Sequence, residues 1–195
     1  MIKKGDYLDI LLRSKKTIFT AKDVVLLWKD SNINAVQVRL NYYVKKRKLI
    51  RLRRGIYAKD ENYDKYELGV NILRPSYVSF ETVLGASGIT FQYYSQIFLA
   101  SYVKREIICD IQKYNFNRIE KSILFNPMGI SHTNGYSIAE KERAFLDTIY
   151  RSKAYYFDNL SPLDWDKVFE ILNIYKSKIM KKRVNKYYQD YKKLC

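Results

Sequence analysis

Between Ser31 and Ala58 the chain changes from a helical to a strand-like period and carries no acid while doing so. Ile33, Val36, Leu40, Tyr43 and Val44 recur at intervals of three and four, which lines one side of a helix ending near Lys46. Directly after it, Leu49-Ile50-Arg51-Leu52 and Gly55-Ile56-Tyr57-Ala58 are β-favouring segments joined through Arg53-Arg54, with Gly55 to relieve the backbone of the turn. A helix followed at once by a hairpin with an arginine tip admits few folds.

Two earlier helices complete the set. Leu8, Leu11 and Leu12 place a first amphipathic helix at about Lys3 to Ser14, followed by a short break. Thr20, with Asp23 three residues later as a shortened capping box, opens a second helix whose apolar stripe is Val24, Leu27 and Trp28 and which ends near Lys29. Ser31 and Asn32 offer the cap of the third. Three helices and a basic hairpin are the parts of a winged helix-turn-helix. The stretch Lys59–Lys65, rich in Asp, Glu and Asn, reads as a linker, so residues 1–62 are predicted as one domain and 63–195 as another.

The second domain reads as α+β, which makes the whole chain α+β. Ser76–Phe80 is a predicted strand running into a helix from Glu81, and Gln96–Lys104, Glu106–Ile111 and Ser122–Asn126 are predicted strands. Ile138–Tyr150 reads as a helix, and Ser161-Pro162 as the start of another that carries Trp165, Val168, Phe169, Ile171 and Leu172. The tail from Lys176 reads as a basic C-terminal helix.

Charge directs attention to the two ends. The net +16 divides into +11 for residues 1–60, −2 for 61–175 and +7 for 176–195. Such concentrations attract polyanions, nucleic acid first among them. With 47% apolar and 15% aromatic residues, disorder is not the expectation. Cys109 and Cys195 are too few for a disulfide framework and too isolated for a zinc site, which suits a reducing compartment. No apolar run approaches the roughly 20 residues that span a bilayer and no signal-peptide core stands at the N-terminus, so no membrane partner and a cytoplasmic location are expected.

On the third helix, Asn34, Ala35, Val38, Tyr42 and Lys45 point away from the apolar stripe, flanked by Gln37, Arg39 and Asn41. Asn and Gln can bond adenine edges bidentately, Arg can bond guanine, and Val38 can meet a thymine methyl in a major groove. The predicted DNA-binding set is therefore Asn34, Gln37, Val38, Arg39, Asn41, Tyr42 and Lys45, with Arg51, Arg53 and Arg54 of the hairpin on phosphates or a minor groove. A solvated face of a structural or protein-binding domain is the competing reading, but such a face ordinarily carries acids. Lys181, Lys182, Arg183 and Lys186 form a second basic patch that suits a solvated tail equally well.

Catalytic signals are sparse. His132 stands in a Ser-His-Thr-Asn-Gly segment read as a turn, and Cys109 lies in an apolar strand pattern that suits the core. Seven scattered glycines include no phosphate-binding loop. Glu140, Glu142 and Asp147 share one predicted helix and keep open a metal-dependent nuclease, since paired carboxylates can hold Mg²⁺. The third reading is a non-catalytic module for RNA or an acidic protein. No cofactor, metal site or catalytic residue is predicted, and the chain is expected not to be an enzyme.

Three stretches together resemble the AbiEi family of abortive-infection antitoxins. They are Leu40–Ala58, with its leucine, basic run, Gly, aliphatic, Tyr and Ala; Tyr77-Val78-Ser79-Phe80-Glu81-Thr82-Val83-Leu84 with Gly88-Ile89; and Ile138–Asp147, which carries Glu142-Arg143 and Asp147. The family often has Gly where this chain has Arg47. The resemblance implies an N-terminal domain that binds inverted repeats in its own promoter, as double-stranded DNA, and represses transcription. It also implies a C-terminal domain with antitoxin activity, and as functional partner a nucleotidyltransferase-like toxin.

Overall fold

The computed structural model describes residues 6–133 and 135–193, which divide into two units within a mixed α+β fold. The first unit runs to Ile72 and includes Gly135 and Tyr136; the second takes Leu73–Thr133 and the chain from Ser137. Cys195 lies outside the described residues.

The first unit contains α1 (Asp6–Arg13), β1 (Ile18–Thr20), α2 (Ala21–Trp28), α3 (Ile33–Lys45), β2 (Ile50–Arg53), β3 (Ile56–Ala58) and α4 (Lys65–Ile72). The capping box at Thr20 is complete: Asp23 N–H donates to Thr20 Oγ1 at 3.2 Å, and Thr20 N–H donates to Asp23 at 2.9 Å. Asn32 caps α3 by accepting from the N–H groups of Asn34 and Ala35, both at 3.1 Å. The core joins Leu11, Phe19, Val24, Trp28, Val36, Leu40, Leu49 and Tyr57. Each fully buried aliphatic side chain such as Val36 or Leu40 contributes about 1.5–3 kcal/mol relative to exposure.

Several boundaries differ from the expectations. The break after the first helix contains β1, a three-residue strand too short to show alternation, and it pairs antiparallel with β3, Phe19 opposite Tyr57. The resulting sheet has the order β1-β3-β2. Leu12, Leu27 and Ile33, assigned to apolar stripes, are exposed, because the buried arcs are narrower and run through Leu11, Val24, Trp28, Val36 and Leu40. The division falls after Ile72 and not near residue 62, because α4 belongs with the first unit. Buried Glu67 on α4 accepts from Thr17 N–H at 2.8 Å, the Thr17 hydroxyl at 2.7 Å and Ile18 N–H at 3.2 Å, tying α4 to β1. Burial raises the Glu67 carboxyl above its ordinary value against the pull of these three donors.

The second unit is built on one six-stranded mixed sheet with β4 (Ser76–Val78), β5 (Ile97–Ser101), β6 (Arg105–Cys109), β7 (Gln112–Arg118), β8 (Ile130–His132) and β9 (Ser137–Ala139). Its order is β6-β7-β5-β4-β9-β8, with β5/β7 and β4/β9 parallel and the other pairs antiparallel. The helices are α5 (Glu81–Ala86), α6 (Lys121–Leu124), α7 (Lys141–Arg151), α8 (Trp165–Leu172) and α9 (Lys178–Lys192). Ser122–Asn126, expected as a strand, holds the single turn α6, since a short apolar run does not fix its own period. The helix expected from Ile138 begins at Lys141, because Ile138 pairs with Val78 as part of β9. The cap of α8 is Asp164 and not Ser161; its carboxylate accepts from Asp166 and Lys167 N–H at 3.1 and 3.2 Å.

Candidate nucleic-acid interface

Asn34, Gln37, Val38, Asn41, Tyr42 and Lys45 are all exposed on α3, at steps of i, i+3, i+4, i+7, i+8 and i+11. That spacing is one continuous helix face. Val38 is 70% exposed and Tyr42 is 55% exposed, which leaves apolar surface on that face beside the polar side chains. The side chains of Asn34, Gln37, Asn41 and Lys45 have no hydrogen-bond or ion-pair partner among the described residues. Their donors and acceptors are therefore open to an incoming surface.

Arg39 does not join that face, which corrects its place in the expected set. It is half-buried, with its guanidinium 3.9 Å from the centre of the Tyr7 ring, 5.4 Å from that of Trp28 and 3.4 Å from Asp30. Trp28 Nε1 in turn donates to Tyr7 O at 2.8 Å. Arg39 thus links α1, the end of α2 and α3, and an arginine spent on two rings and a carboxylate is not available to a guanine. Beside it, burial raises the Tyr43 phenol above its ordinary value while the Arg39 charge opposes the shift.

The hairpin carries the remaining predicted residues. Arg51 pairs across from Tyr57 and Arg53 from Ile56, with a register shift at Leu52 between them. Gly55 closes the turn at φ +79°, a conformation that favours glycine. Arg51, Arg53 and Arg54 are exposed and have no ion pair among the described residues. Between α3 and β2 the expected set omitted three exposed cations, Lys46, Arg47 and Lys48. The unbroken run Lys45-Lys46-Arg47-Lys48 was their available signal. Arg47 holds φ at +55°, while its N–H and that of Lys48 close the end of α3 onto Val44 and Tyr43 carbonyls, both at 2.9 Å. That is the Schellman arrangement, with Arg47 in its left-handed position.

The acids of α7 are held apart by other duties. Asp147, fully buried, accepts from the hydroxyls of Tyr77, Ser79 and Tyr175 at 2.9, 2.8 and 2.6 Å and from Arg143 Nε at 3.3 Å. Arg143, also fully buried, donates to the carbonyls of Met128 and Ile123, both at 2.7 Å, and to the Tyr77 hydroxyl at 3.0 Å. Burial raises the Asp147 carboxyl above its ordinary value, offset in part by Arg143 and the three hydroxyls. Burial opposes the Arg143 charge, but Asp147, Tyr175 and Tyr77 outweigh it and hold the guanidinium protonated. Glu142 accepts from Asp164 N–H at 3.1 Å, and Glu140 pairs with Lys167 at 2.8 Å. Among the described residues, no three His, Cys, Asp or Glu side chains are placed to share a metal ion.

His132, expected in a turn, ends β8; it is exposed, with Nδ1 3.0 Å from Ser137 Oγ. Cys109 is buried at the end of β6. In the C-terminal patch Lys181, Lys182 and Lys186 are exposed, while Arg183 is half-buried and donates to Ile149 O at 3.2 Å. No helix among the described residues is long and apolar enough to cross a membrane. No family model and no curated protein matches the chain.

Proposed function

We propose that the first unit is a winged helix-turn-helix that binds duplex DNA, with the exposed face of α3 in the major groove and the β2–β3 hairpin as the wing. The observation that carries this reading is charge without counter-charge: Lys45, Lys46, Arg47, Lys48, Arg51, Arg53 and Arg54 are exposed, and none has an ion pair among the described residues. Unpaired cations on one short stretch repel one another unless an anion is present, and DNA supplies phosphates at regular spacing. Asn34, Gln37, Asn41 and Val38 supply the groups that distinguish base edges.

The biological role that suits this reading is a transcriptional autorepressor acting as the antitoxin of a toxin–antitoxin pair with a nucleotidyltransferase-like toxin. Its support is the likeness of Leu40–Ala58, Tyr77–Leu84 and Ile138–Asp147 to AbiEi antitoxins, and Arg47 in a left-handed position where those proteins often carry glycine. In this reading the second unit carries the antitoxin activity, and the Glu142-Arg143 and Asp147 signature belongs to its packing.

The test is selection of duplexes from a random pool, followed by salt titrations on the selected site. Asn34→Ala and Gln37→Ala change the selected sequence, while Arg53→Ala and Arg54→Ala weaken all duplexes alike and reduce the salt slope by about one each. A pool that yields no enriched duplex, or slopes that do not respond to the arginine changes, overturns the assignment.

A further inference from the structure

Far along the chain from the basic segment, the second unit contains a cavity of about 320 Å³, within the span of small-ligand sites, roughly 300–1,000 Å³. Thr90, Gln92, Tyr94, Tyr155, Tyr156 and Asp158 line it. Its surroundings are aromatic and open: Tyr156 is 81% exposed, and on the Thr90–Tyr94 segment Phe91 is 72% and Tyr93 88% exposed.

The walls are held in place. The Tyr94 ring lies edge-on to buried Phe98, centres 5.3 Å apart, and the Tyr155 ring lies 4.8 Å from that of buried Phe157. Tyr187 pins the Tyr155 backbone from both sides, accepting from its N–H at 3.2 Å and donating to its carbonyl at 2.6 Å. The polar groups are only partly used. Asp158 accepts from Phe91 N–H through Oδ2 at 2.8 Å, and its Oδ1 has no partner among the described residues. Gln92 accepts from the Tyr94 hydroxyl at 2.9 Å through Oε1, which leaves its amide N–H groups unused. Thr90 is buried, and its hydroxyl has no hydrogen-bond partner, the sort of atom a ligand completes.

We propose that this cavity binds an unpaired guanine base, stacked on the tyrosine walls, with its N1–H and N2 amino donors on Asp158 and its O6 on the Gln92 amide. Aromatic faces take any base, so stacking supplies affinity without choice. Choice comes from the polar edge: a carboxylate only accepts, and guanine is the base that presents two adjacent donors beside an acceptor. Adenine offers an amino group next to a ring acceptor that the carboxylate repels, and uracil places a carbonyl on either side of its single N–H.

The test uses the full chain with GMP, AMP and UMP, equally charged so that the basic surface contributes alike to all three, and with XMP, whose ring is largely ionised at neutral pH and which is therefore compared only between the parent and Asp158→Asn; binding is followed by calorimetry and by saturation transfer from protein to base protons. GMP is expected to bind at least ~10-fold more tightly than AMP or UMP. Asp158→Asn places an amide where the carboxylate was, so GMP weakens and XMP, with a carbonyl at C2, strengthens relative to the parent. Tyr156→Ala, at a side chain with little packing to lose, weakens GMP while circular dichroism and melting stay as in the parent. A single-stranded G-rich oligonucleotide that competes with GMP identifies the same pocket as open to bases within a strand. Equal affinity for the three common nucleotides, saturation transfer to none of them, or unchanged GMP binding in Asp158→Asn overturns the proposal.

Discussion

Arg47 shows what one residue can concede for charge. At φ +55° it occupies a conformation that costs a residue with a β-carbon about 1–2 kcal/mol, where glycine would sit without strain. Arg47→Gly is therefore expected to raise the urea midpoint by the equivalent of roughly 0.5–1 kcal/mol, the greater freedom of glycine in the unfolded chain taking back part of the gain. The same change removes an unpaired cation, so under the proposed function it should weaken DNA binding in gel shifts while stability rises. Glu67 gives a pH dependence of definite sign. Its folded carboxyl titrates above the ordinary 4.5, so the folded chain holds this proton more tightly than the unfolded one. Its contribution to stability is present in full below 4.5 and is lost as pH rises through the folded value. Glu67→Gln should remove that component, so its stability falls less than the parent's between pH 4.5 and neutrality in urea titrations.

At the scale of elements, α3 divides its work by face. Arg39 looks like its basic neighbours in sequence, but its contacts with Tyr7, Trp28 and Asp30 make it part of the packing of three helices. Arg39→Ala is expected to cost about 1–2 kcal/mol in thermal or urea unfolding, chiefly through lost stacking on Tyr7 and Trp28, since Asp30 keeps its hydrogen bond from Asn32 N–H. Arg53→Ala and Arg54→Ala, exposed and unpaired, should stay within roughly 0.5 kcal/mol of the parent. In α2 and α3 the caps and periods were legible because they are local: Thr20 with Asp23, Asn32 and the Val36/Leu40 stripe each act within one turn. The exposed set on α3 was legible for the same reason, apart from Arg39, whose partners Tyr7 and Asp30 lie on other elements. What could not be read locally was missed. β1 exists because Ala58 and its neighbours pair with it from far along the chain, and Ile138 is in a strand because Val78 lies beside it. The cavity of the second unit has no local signature at all, since Thr90–Tyr94 and Tyr155–Asp158 meet only in the fold.

For the whole molecule, the same contrast between local and distant pairing sets an order of assembly. In the first unit α1 packs against α2 and α2 against α3, each the next helix in sequence, whereas the central pairs of the larger sheet, β4 with β9 and β5 with β7, are parallel and bring together segments with other elements between them. Parallel pairing requires long loops to close before any ladder hydrogen bond forms, which slows folding. Stopped-flow refolding watched through Trp28, in the first unit, should therefore run ahead of the signal from Trp165, in the second, with each followed in a variant lacking the other tryptophan. On a translating ribosome, which emits about 5–20 residues per second, the first unit's helices would be out well before Ile138 arrives to take its place beside Val78. A nascent chain could thus hold a formed α3 and β2–β3 hairpin while the rest of its own polypeptide is still being made.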